Sequence, residues 1–125
     1  MQTGRTVARK TRLKLGQVQY AYEKFYLAVR ALATGSGDVR SRLRGAYLHF
    51  HTVQPEDVPG NVRRDFRWIK RMLTKRQPRY VLKGEIIDGS VEVSLAQMQN
   101  RTGSKIARKI VRIEEALESA CESTK

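Results

Sequence analysis

"NVRRDFRWIKRMLTKRQPR", residues 61–79, decides the fold class and raises the question of function together. Val62, Phe66, Ile69 and Leu73 recur at intervals of four, three and four residues, which is the spacing of one helical face. That stripe is expected to turn inward, with Asn61 as the N-cap and Gln77-Pro78 as the stop. The other positions are crowded with cations: Arg63, Arg64, Arg67, Lys70, Arg71, Lys75, Arg76 and Arg79, against the single acid Asp65. Arg64, Trp68, Arg71 and Lys75 fall on one line of the helix, and Arg63, Arg67 and Lys70 form a second line beside it. Like charges so placed weaken an isolated helix by roughly a few tenths of a kcal/mol per pair. Repulsion tolerated on this scale points to a counter-charge supplied from outside. Trp68, in the middle of the basic surface, is expected to pack against the apolar stripe; if exposed, it would offer a stacking platform to a base.

Working outward, the same periodicity continues on both sides. Val18, Tyr22, Phe25, Val29 and Leu32 predict a helix from Gln17 to Thr34, stopped by Gly35. Ser36 or Asp38 is placed to cap a second helix, from Asp38 to about Thr52, with Val39, Leu43, Ala46 and Phe50 inside. "QPEDVPGN", residues 54–61, holds two prolines and a glycine and breaks the chain, with "PED" suited to one short turn. "RYVLKGEIIDG", residues 79–89, mixes β-formers around Lys83-Gly84 and is expected to make a short hairpin or an ordered loop.

From residue 91 onward Val91, Leu95, Met98, Thr102, Ile106, Ile110, Ile113 and Leu117 stay in helical phase. Gly103 costs a helix about 1 kcal/mol relative to alanine. Either one long helix tolerates it, or two helices meet between Asn100 and Ser104. Arg101, Lys105, Arg108 and Arg112 form a basic line opposite the isoleucines, flanked by Lys109. The charge then changes sign at Glu114, Glu115, Glu118 and Glu122, acids expected to meet Lys or Arg elsewhere or a protein partner. The predicted architecture is all-α: a small bundle of four or five helices with a long C-terminal one.

Composition bounds the function. The chain has 125 residues, expected to form one helical domain from residue 16 to 125 behind a flexible basic arm at residues 1–15. Twenty-five Lys and Arg against twelve Asp and Glu leave a net charge of +13. Such an excess is the electrostatic footprint of a polyanion binder, here DNA or RNA. The lone Cys121 permits no disulfide within the chain and fits a reducing compartment. No apolar run reaches membrane-spanning length and no signal-peptide core stands at the N-terminus, so a cytoplasmic location without membrane contact is expected.

Three motifs bear on chemistry. Thr102-Gly103-Ser104 before a basic segment invites a helix-turn-helix reading, but Ser104, Lys109 and Arg112 stand where that motif wants apolar residues. Arg44 and His49 in "RGAYLH" make an R-x4-H pattern that resembles the active-site signature of HEPN-type ribonucleases, which are small helical bundles. The resemblance covers those two positions alone, with Gly45 in place of the polar residue that often follows the arginine. It implies His49 as general acid/base and Arg44 as a clamp on an RNA phosphate. Two histidines and one cysteine make no zinc site of the usual kind, and no glycine-rich phosphate loop follows a strand; no metal or cofactor is expected.

The leading expectation is therefore a non-enzymatic nucleic-acid binder. Its contacts would be Arg63, Arg64, Arg67, Trp68, Lys70, Arg71 and Lys75 on one helix and Arg101, Lys105, Arg108, Lys109 and Arg112 on another. The alternatives are the HEPN-like ribonuclease and an adaptor or inhibitor whose partner protein is acidic.

Overall fold

The structure, a computed structural model, describes residues 14–80 and 86–123, without the side chains of residues 80 and 86–88. Of the arm expected at residues 1–15, residues 1–13 lie outside the described residues, whereas Lys14 stands at the N-cap of the first helix and Leu15 opens it. Five α-helices make up the described bundle: α1 (Leu15–Thr34), α2 (Val39–Phe50), α3 (Gly60–Leu73), α4 (Ser90–Gln97) and α5 (Asn100–Ser123). A short 3-10 turn at Pro55–Asp57 leads into α3. Strands β1 (Arg79–Tyr80) and β2 (Ile86–Asp88) pair antiparallel between α3 and α4, which decides for the hairpin over the loop.

Three phenylalanines, one from each of the first three helices, fill the centre. Phe25 stacks on Phe50 at 5.0 Å between ring centroids, and Phe66 meets Phe25 edge-on at 5.3 Å and Phe50 at 5.9 Å. Offset and edge-to-face pairs of this kind add roughly 0.5–1.5 kcal/mol each beyond the burial itself. Val62, Phe66, Ile69 and Leu73 of α3 are buried as the spacing requires, as are Ile106, Ile110, Ile113 and Leu117 of α5. The long helix α5 packs on α1, α2 and α3 together.

The structure corrects several boundaries. On α1 the buried line is Val18, Ala21, Phe25 and Ala28, while Tyr22, Val29 and Leu32 only flank it. All four residues of that line are fully buried. Asp38, not Ser36, caps α2, its carboxylate accepting from the Arg40 and Ser41 amides. Pro59 rather than Asn61 stands at the N-cap of α3, and Asn61 lies inside the first turn. The helix ends at Leu73, ahead of Gln77-Pro78, because Thr74 turns back on it: its amide and hydroxyl both reach the Lys70 carbonyl, the hydroxyl at 2.7 Å. The Arg76 amide then donates to the buried Ser94 hydroxyl at 2.9 Å, anchoring the chain to α4.

The stretch from residue 90 onward is two helices, but they part at Met98, ahead of the glycine. Met98 is extended and buried, and its carbonyl accepts from the Arg40 guanidinium at 3.2 Å. Thr102, Gly103 and Ser104 lie in the first turns of α5, which removes the turn that a helix-turn-helix motif would place there. Gly103 is there for proximity. A Cβ added to it would come within 2.8 Å of Val39 Cγ1 and 3.5 Å of Leu43 Cδ1, so its absence is what lets α5 lie against α2. Among the described residues no helix is long and apolar enough to cross a membrane.

Gly103→Ala is expected to lower stability by about 1 kcal/mol in urea unfolding, the overpacking outweighing alanine's better helix propensity. Gly16→Ala, at a helical position with nothing within 4 Å of the new Cβ, is expected to raise it by about a few tenths of a kcal/mol.

Candidate nucleic-acid interface

Two strongly cationic helices lie against each other, and Asp65 offsets part of the repulsion between them. From α3 its carboxylate accepts from the Lys109 ammonium at 2.7 Å and from the Arg112 guanidinium at 3.2 Å, both on α5. The Asp65 and Lys109 side chains retain 22% and 19% exposure while Arg112 retains 63%, so the Lys109 pair is the sheltered and stronger one. The Lys109 hydrogen bond, helped by the two positive charges and opposed by burial, holds the Asp65 carboxyl below its ordinary value of 3.8.

Asp65 meets Lys109 and Arg112 while Trp68, further along α3, meets Lys105 and Lys109, so α3 and α5 run antiparallel. Between them opens a cleft of about 400 Å³ lined by Arg64, Asp65, Trp68, Arg71, Lys105 and Lys109. Trp68 is half-buried against the core, and its ring lies beneath two ammonium groups, Lys105 at 5.2 Å and Lys109 at 5.5 Å from the centroid. Arg64, Arg71 and Lys105 form no ion pair among the described residues. Toward the N-terminus of α5 the seam continues into a second cleft of about 300 Å³, where Met72, Lys75, Arg76, Gln97, Gln99 and Thr102 meet.

Five of the twelve expected contact residues thus share one cleft, Arg112 joins them through Asp65, and Lys75 lies further along the seam. The other five are elsewhere. Arg63 donates to the Pro55 carbonyl at 2.8 Å and the Val58 carbonyl at 2.9 Å, tying down the 3-10 turn. Lys70 lies 5.3 Å from the Phe66 ring centroid, and burial pushes its ammonium below the usual lysine value despite the opposing charges of Glu56 and Asp57. Arg67 is exposed on the outer surface of α3. Arg101 donates to the Gln99 side chain at 3.4 Å, and Arg108 borders an apolar groove on the α1 side of α5. Arg76, Gln97, Gln99 and Thr102 of the second cleft were not among the expected contacts. They come from three separate segments, and no periodicity links them.

Arg44 and His49 do not converge. Residues five apart on a helix point about 140° away from each other. Arg44 donates to Glu92 at 3.1 Å across to α4, in a cleft whose other lining residues are Asp38, Arg40, Ser41, Leu95 and Ala96. His49 is not part of it.

No protein-family model, curated protein or solved structure matches the chain.

Asp65→Asn is expected to lower stability by about 1 kcal/mol, since it leaves Lys109 and Arg112 facing each other without a counter-charge. Because the folded-state pKa of Asp65 is depressed, its contribution is complete above 3.8 and is lost as the pH falls through the lower folded value. Chemical unfolding should therefore show a constant gap between wild type and variant from pH 7 to 5, closing below about pH 4.

Proposed function

We propose that the chain is a non-enzymatic nucleic-acid-binding protein that grips phosphates in the α3–α5 cleft. One observation carries this reading: Arg64, Arg71, Lys105 and Lys109 gather around Trp68 from two helices, with Asp65 as the only acid among them. Asp65 neutralises at most one of these charges and spends its other hydrogen bond on Arg112. The remaining cations repel one another across the cleft, and a string of phosphates relieves that repulsion. Each cation that meets a phosphate releases condensed counterions, which sets a steep dependence of affinity on salt. Arginine adds forked hydrogen bonds that a lone ammonium cannot make.

The bound polymer is DNA or RNA, held through its backbone, and the place of action is the cytoplasm, which a chain with one cysteine and no disulfide of its own suits. The apolar edge of Trp68 beside the phosphates suits a base that has left its stack. Catalysis has no comparable support, because the Arg44 cleft lacks the histidine that the ribonuclease reading requires.

The test is binding to duplex DNA, single-stranded DNA and structured RNA over a series of salt concentrations. Affinity should fall steeply with salt, and Arg64→Gln and Lys105→Gln should each lower the log–log slope by about one. Arg63→Gln, whose guanidinium is committed to backbone carbonyls, should leave the slope unchanged. A flat salt response, or a Lys105 variant that matches wild type, would overturn the proposal. Nucleic acid that is cut by wild type and spared by His49→Ala would overturn its non-enzymatic part.

A further inference from the structure

The acidic end of α5 presents an unsolved electrostatic cost. Glu114, Glu115 and Glu118 lie close together in the C-terminal half of α5, where their like charges repel. None of the three has an ion pair among the described residues, in a chain whose net charge is +13. Burial, with Glu118 and Glu115 adding to it, pushes the Glu114 carboxyl above its ordinary value. Tyr22 of α1, which faces this cluster, has its phenol pushed up by burial and then by Glu118 and Glu114.

Beside the acids lies an apolar groove. Val29, Leu32 and Ala33 of α1 and Ala107 and Val111 of α5 line it, with a volume of about 280 Å³ and Arg108 at its border. Val111 is 37% exposed, and Tyr26, on the same side of α1, is 42% exposed. The face is therefore ordered by charge: Arg108 at one end, apolar side chains in the middle, glutamates at the other. α1 repeats the order, with Arg30 and Glu23 as the exposed charges.

We propose that this α1–α5 face is the interface of a symmetric homodimer, and that its occupant is a second copy of the same chain. A two-fold axis passing near Val111 sets two α5 helices antiparallel, so that residue 111 − n of one copy faces residue 111 + n of the other. Arg108 then falls beside Glu115 of the second copy, on the same flank of the interface, and the reverse contact forms by symmetry. This is the self-complementary arrangement that a two-fold interface requires. The apolar centre closes over Val111 and Tyr26, which a polar surface would otherwise leave in water. A partner of one charge would satisfy only one end of the face; a second copy satisfies both. Lys105 and Lys109 lie on the opposite flank of α5, facing α3, so dimerisation leaves both basic clefts open.

Sedimentation equilibrium on nuclease-treated full-length protein is expected to give a concentration-dependent mass rising to two chains. Arg108→Glu and Glu115→Arg should each return the mass to one chain at concentrations where wild type is dimeric. Their combination in one chain should restore the dimer, since exchanging the two charges preserves the self-complementary pattern. Val111→Asp should abolish it, with circular dichroism reporting the fold of each variant. A wild-type mass of one chain throughout would overturn the proposal and leave the groove to a different protein. So would a dimer that survives both charge reversals, or a doubly exchanged chain, folded as wild type, that stays monomeric.

Discussion

One carboxylate reconciles two surfaces that would otherwise repel. α3 and α5 carry cations on nearly every exposed position they share, and packing them side by side costs Coulomb energy that the apolar seam beneath must overcome. Asp65 offsets part of it where it is greatest, binding Lys109 in a sheltered pair and Arg112 at the rim. By fixing Lys109 beside Trp68 it also shapes one wall of the cleft. The residue that holds the basic helices together is thus the one that limits how positive their junction becomes.

Two features on other helices set where that junction falls. The Phe25, Phe50 and Phe66 rings lock α3 to the first two helices. Gly103 lets α5 sink against Val39 and Leu43 of α2 at a distance any side chain would prevent. Arg40 completes the arrangement from α2: it is paired with Asp38 and donates to the carbonyl of the buried Met98 at the end of α4. The position of the cleft is therefore decided by contacts on its far side.

Where one helix face is both long and strongly patterned, as with Val62, Phe66, Ile69 and Leu73, the sequence alone was enough to read burial and to see which residues remain outside. It failed where the polarity signal was weak. Ala21 and Ala28 score weakly as hydrophobic residues, yet they are fully buried in line with Val18 and Phe25. The break at Met98 was hidden because the apolar phase runs unbroken across it, and the Arg40 guanidinium that meets the Met98 carbonyl there is 58 residues away. The division of the basic positions followed the same rule. Periodicity placed Arg63, Lys70, Arg64 and Arg71 around α3, but only packing decides that the first two turn to the 3-10 turn and the aromatic core while the others border α5. A lone acid on a basic helix was the one visible sign of what Asp65 does.

Trp68 is the chain's single tryptophan, and it lies in the cleft under two ammonium groups. Excited on the red edge of indole absorption, beyond that of the five tyrosines, the protein's emission therefore originates at this one location, from an indole whose excited state feels the field of Lys105 and Lys109. Anything that draws those ammonium groups away alters the colour and yield of that light. The molecule carries its own unlabelled optical gauge of what occupies the cleft.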